Sequence, residues 1–172
     1  NTLSSRANGI VPSSIVDFPP RVGARHHREA IMSQESMIDA AKAPVLAYSK
    51  KDWSAFKASI APGFLYEEVA THRKMQGVDQ VVAGWQGWAT ALPDSKATIN
   101  NAFVSGDTVV LELTWRGTHK GPLQTPTGQI PATGKPVEIE ACQVYHFAGD
   151  KPQSMRQYFD MATLLQQIGR TP

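Results

Sequence analysis

Val78, Val81, Val82, Trp85, Trp88, Ala89 and Leu92 recur at offsets of 0, 3, 4, 7, 10, 11 and 14 residues, and from residue 97 onward the apolar period shortens to two. The first pattern winds one unbroken apolar stripe around a helix. Two tryptophans make that stripe so wide that it needs a broad partner such as a sheet. Pro93-Asp94 closes the helix. The second pattern supplies the partner. Val109, Leu111, Leu113 and Trp115 alternate with Val110, Glu112, Thr114 and Arg116. Val137, Ile139, Ala141, Gln143, Tyr145 and Phe147 alternate with Glu138, Glu140, Cys142, Val144 and His146. Strands are predicted over 97–104, 108–117, 137–147 and 152–159, divided by Ser105-Gly106-Asp107 and Ala148-Gly149-Asp150. Helices followed by a long antiparallel meander make an α+β plan.

Upstream, Met37, Ala40, Ala41, Val45 and Tyr48 keep helical spacing, and Pro44 predicts a kink or a restart. Asp52 can cap a short helix carrying Trp53, Phe56 and Ile60, which Pro62-Gly63 ends. Residues 64–69 read as a short strand, and 161–168 as a helix stopped by Gly169. Residues 117–136 break the meander with four glycines and four prolines. A connection this long is unusual without a task. It reads as a lip over a pocket or an arm across a dimer partner, against a solvated hairpin tip.

Charge and cysteine content narrow the function. The net charge of +2 resides in residues 1–31, where Arg6, Arg21, Arg25 and Arg28 face Asp17 and Glu29, so the rest is neutral overall. A neutral body is a poor nucleic-acid binder, because such binding rests on neutralised phosphates. No apolar run approaches the ~18–20 residues of a membrane-spanning helix. A single cysteine, Cys142, rules out an internal disulfide or a multi-thiolate metal cage. Residues 1–31 lack both periodicity and a secretory apolar core, so they are expected to be a flexible leader or tag-like tail ahead of one domain over 32–172. A cytoplasmic location is expected. His26-His27 in that tail reads as solvated. Elsewhere no histidine or carboxylate spacing marks a metal site, and no phosphate-cradling loop is present, so neither metal nor cofactor is expected.

Several strings, in this order and spacing, resemble the SnoaL-like polyketide cyclases of the nuclear-transport-factor-2-like fold. They are YSKKDWSAF (48–56), QGVDQVVAGWQGW (76–88), Pro93-Asp94, GTHKGP (117–122), PATGK (131–135), Tyr158-Phe159-Asp160 and LLQQIG (164–169). The resemblance spans about 34–169, and the wider superfamily includes limonene epoxide hydrolase and ketosteroid isomerase. It implies a cystatin-like cone, with a strongly curved antiparallel sheet and N-terminal helices around a deep pocket, often as a homodimer. Fold alone leaves function open, because such domains include enzymes and passive binders.

On that resemblance Asp160 is the expected general acid/base. A carboxylate on an apolar pocket floor is desolvated, which raises its basicity. The competing role is to cap the helix beginning at Met161. His146, across the Gly149-Asp150 hairpin, could hydrogen-bond Asp160 or a substrate oxygen. Tyr66 and Glu68 share one strand face, where limonene epoxide hydrolase holds water with a tyrosine and an asparagine. The Arg-x-Asp pair of that hydrolase is missing from Glu112–Arg116, which disfavours its mechanism. His119 could close the pocket or contact substrate. Arg156 and Tyr158 share strand parity with Asp160 and could line one wall. Trp85, Trp88 and Trp115 read as core or pocket wall, and His72 as a surface residue. A Cys142–His146 nucleophile pair is out of reach, since four residues along a strand span roughly 13 Å.

These residues predict a cofactor-independent lyase or isomerase acting on a small, largely apolar, oxygen-bearing molecule, with polyketide-like aldol ring closure as the family-derived guess. A non-catalytic ligand carrier is the alternative, and a hydrolase using Tyr66, Glu68 and Asp160 a weaker one.

Overall fold

The computed structural model describes residues 32–125 and 128–170. The expected leader, with His26-His27, lies outside the described residues. Helix α1 (Gln34–Lys50) is capped by the Ser33 side chain, which accepts from the Ser36 amide, and α2 (Trp53–Ser59) by Asp52, which accepts from Ala55. Pro44 does not restart α1. Its missing N–H forfeits one helical bond, yet Met37, Ala41, Val45 and Tyr48 are buried on both sides of it. Strand β1 (Leu65–Glu68), a single 3-10 turn (Val69–Thr71) and β2 (Arg73–Gln76) lead into α3 (Val78–Ala91). Then follow β3 (Lys96–Ser105), β4 (Thr108–Thr118), the small hairpin β5 (Leu123–Thr125) and β6 (Gly128–Ile130), β7 (Pro136–Phe147), β8 (Pro152–Phe159) and α4 (Met161–Gln167).

The main sheet has the order β2-β1-β8-β7-β4-β3. β3, β4, β7 and β8 form the expected antiparallel meander, but β1 joins β8 in parallel, with Tyr66 opposite Met155. This corrects the expected cone. The sheet is mixed and open, with β2 and β3 as its two edges, and it is neither closed nor strongly curled. Parallel pairing was hidden because the chain reaches β8 only after the whole meander.

Alternation decides which face is filled. Val109, Leu111 and Leu113 of β4, Ala141, Tyr145 and Phe147 of β7, and Met155 of β8 pack against Val45 and Tyr48 of α1 and Val81, Val82 and Trp85 of α3. Glu112, Arg116, Glu138, Glu140, His146 and Arg156 stand exposed on the opposite face. A smaller apolar cluster joins Ala91, Leu92, Leu123, Val137, Ile139, Leu164 and Ile168. Leu123 and Ile130 tie the 117–136 connection to that cluster. Lys120 and Gly121 both donate to the Ala91 carbonyl at 3.0 and 3.1 Å, which staples the loop to the end of α3. Gly121 is required there, because a Cβ would lie 2.0 Å from the Thr90 carbonyl oxygen. The loop thus belongs to the fold and covers the α3 terminus.

Candidate functional site

Between α1, α3, α4 and the filled sheet face lies an apolar hollow lined by Tyr48, Trp85, Trp88, Leu92, Ser95, Trp115, Val137, Ile139, Gln157, Phe159 and Leu164. Its free volume is about 50 Å³, room for only a few waters. The deep pocket expected from the resemblance is thus reduced by the bulk of its own walls. The Tyr48 ring meets Trp85 and Trp115 edge-on at 5.0 and 5.1 Å, and the two indoles lie 5.9 Å apart.

Three sets of polar groups belong to the residues that line this apolar space or back onto them. The indole N–H groups of Trp85 and Trp115 are buried and have no hydrogen-bond partner among the described residues. A buried donor left unpaired costs about 1–3 kcal/mol, so these two favour any acceptor that comes within reach. The Tyr48 and Ser95 hydroxyls lie 2.8 Å apart. Burial pushes the Tyr48 phenol up to about 12, so it stays neutral. Finally, Tyr145 donates to Gln143 Oε1 at 2.8 Å, and Gln143 Nε2 donates to Gln157 Oε1 at 2.5 Å. Tyr145 and Gln143 are fully buried, and burial raises the Tyr145 phenol. This chain runs toward the hollow and ends on the Gln157 amide, which lines it.

Glu68 is the fully buried carboxylate beside this site. Its Oε2 accepts from Tyr66 OH and Trp88 Nε1, both at 2.8 Å. Its Oε1 accepts from Thr71 Oγ1 at 2.5 Å and from Arg73 Nε and Nη2 at 3.1 and 2.8 Å. Every lone pair is engaged, so Glu68 serves as an anchor. Through Trp88 it holds one wall of the hollow in place. Burial, followed by the neighbouring Glu68 charge, keeps the Tyr66 phenol well above its ordinary value.

Of the residues expected from sequence, Trp85, Trp88 and Trp115 line the hollow, while Tyr66 and Glu68 form the buried network behind it. The others lie elsewhere. Asp160 is exposed, and its carboxylate caps α4. Oδ1 accepts from the Ala162 and Thr163 amides at 2.9 and 3.3 Å, and Oδ2 from Thr163 Oγ1 at 2.6 Å. Those bonds, the Thr163 hydroxyl first, lower its pKa, the reverse of the expected desolvation. His146 does not meet Asp160. It pairs with Ser154 in the ladder, whereas Ala141 pairs with Phe159, which puts His146 and Asp160 about 20 Å apart along the strands. His146 instead lies 3.4 Å from Asp107, and both are exposed. Arg156 and Tyr158 point away from the hollow because their parity opposes that of Met155, Gln157 and Phe159. His119 is buried in the loop, its Nδ1 3.0 Å from Thr133 Oγ1, and is absent from the lining.

Sequence reasoning passed over Tyr48, Ser95 and Gln157. Gln143 and Gln157 carried a usable signal, since each is polar in the phase that Ile139, Tyr145, Met155 and Phe159 fill with apolar groups. Among the described residues, no group of three or more His, Cys, Asp or Glu side chains converges as a metal site, and no helix is long and apolar enough to cross a membrane.

Residues 38–168 match the family model of the SnoaL-like polyketide cyclases. No curated protein matches the chain. A candidate SnoaL-like polyketide cyclase from Jannaschia sp. CCS1 superposes with a TM-score of 0.72 at 18% identity, over 82% of this chain and 98% of that one. A protein of ketosteroid isomerase-like fold from Catenulispora acidiphila, solved with trimethylamine, gives 0.65 at 20% identity, over 77% and 93%. An epoxide hydrolase from M. tuberculosis resembling limonene epoxide hydrolase gives 0.60 at 17% identity, over 78% and 90%.

Proposed function

Since the chain belongs to the SnoaL-like polyketide cyclase family, we propose that it is a small-molecule enzyme of lyase or isomerase type whose chemistry takes place in the hollow. The observation that carries this reading is the pair of buried, unpartnered indole N–H groups in an apolar wall. They supply the electrophilic half of a carbonyl reaction. Donors fixed in a dry site hold a carbonyl oxygen and take up negative charge as an enolate forms, an effect worth several kcal/mol. In a ring closure of the family's kind, the bond from the α-carbon to hydrogen breaks and the proton passes to water at the mouth. The electron pair then forms a carbon–carbon bond to a second carbonyl of the same molecule, whose oxygen regains a proton. The guest is small or enters by its oxygen-bearing end, because the free volume admits no more. Asp160 keeps its place as a helix cap in this reading.

A non-catalytic carrier is favoured by one specific feature, namely that among the described residues the lining includes no carboxylate or histidine. The two separate by experiment. Native mass spectrometry against small ketones, phenols and their deoxygenated analogues identifies a ligand. Affinity and turnover of that ligand are then measured for the wild type, Trp85→Phe and Asp160→Asn. The enzyme reading expects affinity for the oxygenated ligand to fall about fivefold in Trp85→Phe, the worth of one hydrogen bond, and turnover to persist in Asp160→Asn. A captured ligand that is never transformed supports the carrier. Loss of rate by orders of magnitude in Asp160→Asn, with affinity intact, assigns the acid/base role to Asp160.

A further inference from the structure

The turn after α3 brings Ser95 against the end of α1, where a cation waits. Lys51 Nζ donates to the Ser95 carbonyl at 2.6 Å, lies 3.4 Å from Ser95 Oγ, and sits 4.1 Å over the centre of the Tyr48 ring. Lys51 also terminates α1 in the left-handed region, at φ 57°, its amide donating back to the Ala47 and Tyr48 carbonyls. Glycine adopts that conformation without strain, and lysine does not. The backbone therefore gains nothing from lysine here, and what this residue adds is its side chain.

Two hydroxyls that share one hydrogen bond leave one O–H free. Which one is free depends on the direction of the bond. The ammonium lies on the Ser95 side and attracts the lone pairs of Oγ, so Oγ accepts from Tyr48 as well and Ser95 keeps its own proton. We infer that Lys51 orients the Tyr48–Ser95 pair so that the Ser95 hydroxyl is left as a free donor in the lining of the hollow, for one anionic oxygen, an enolate or phenolate. This rests on reading the hollow as the binding site. It assigns Lys51 a positioning role, since it acts through Ser95.

The surrounding charges favour the same outcome. Burial lowers the Lys51 pKa, while Asp94 supports its charge and Lys96 opposes it. Asp94 is itself engaged by the Thr118 amide at 2.7 Å and Lys120 Nζ at 3.2 Å. Asp94 thus bonds Lys120 directly and supports the Lys51 charge from further away.

The test uses 4-nitrophenol, whose anion is coloured, titrated against the full chain across pH. Lys51→Gly removes the ammonium and suits the left-handed backbone, and Lys51→Arg retains the charge. The wild type is expected to bind the phenolate roughly tenfold more tightly than the phenol, equivalent to about one pKa unit. Lys51→Gly is expected to lose most of that preference with no fall in melting temperature, and Lys51→Arg to restore it. Equal preference in the wild type and Lys51→Gly overturns the role of Lys51 while sparing the hollow as a binding site. Failure of the wild type to bind either form overturns both.

Discussion

Glu68→Leu is the substitution whose consequence the structure fixes most closely. The side chain is fully buried and accepts five hydrogen bonds. Leucine fills a similar volume, so the loss is one of polar partners more than of packing. Tyr66 is 1% exposed and its hydroxyl has no other partner among the described residues, so it is stranded at about 1–3 kcal/mol. Trp88 Nε1 loses its partner too, at a smaller cost because Trp88 is only partly buried. The Arg73 side chain is 38% exposed and can turn to water, so its share is small. Together these give about 3–5 kcal/mol, in line with breaking a buried ion pair, or roughly 10–15 °C in melting temperature for a domain of this size. Urea unfolding followed by circular dichroism measures the cost, and the slope should match the wild type. The variant should also loosen the Trp88 wall and weaken any ligand of the hollow. A Glu68→Leu protein within about 1 kcal/mol of wild type would refute the claim that Glu68 anchors this side of the site.

Three further outcomes are expected. Gly121→Ala drives a methyl group into the Thr90 carbonyl. It should cost about 1–3 kcal/mol and speed hydrogen exchange at the Lys120 and Gly121 amides, whereas unchanged exchange would mean the loop is not stapled there. His119 has its pKa lowered from 6.5, first by burial and then by Arg170. It binds fewer protons folded than unfolded. Its contribution to stability is therefore present above 6.5 and is lost as pH falls below that value toward the lower folded one, so His119→Gln should flatten that part of the profile. Asp160, whose pKa is lowered by Thr163 and Ala162, supports α4 above its ordinary value of 3.8 and loses that support as pH falls through the lowered one. Asp160→Asn should reduce acid sensitivity, and a profile identical to wild type would count against the cap.

The parts of the fold written in period were legible. The α3 stripe and the β4 and β7 alternations lie where the spacing put them, since each follows from local geometry and one buried face. Strand β2 was not, because Arg73-Lys74-Met75-Gln76 is a four-residue edge with little apolar content and gains its place only by pairing with β1. The placement of Asp160 outside the hollow is instructive. Arg156, Tyr158 and Asp160 do share parity, but Met155 and Phe159 had already marked the other parity as the filled one. The Lys51–Ser95 contact joins the end of α1 to the start of β3, and no local pattern encodes a meeting 44 residues apart.

The central claim, that the unpaired indoles of the hollow receive an oxygen, is tested most directly by the indole N–H resonances of the four tryptophans in a nitrogen-15 spectrum. Titration with cyclohexanone is predicted to move the Trp85 and Trp115 signals downfield in a saturable way while Trp88, bound to Glu68, stays near its place. Saturable binding that leaves Trp85 and Trp115 unmoved, or no binding by any small ketone, would contradict the account.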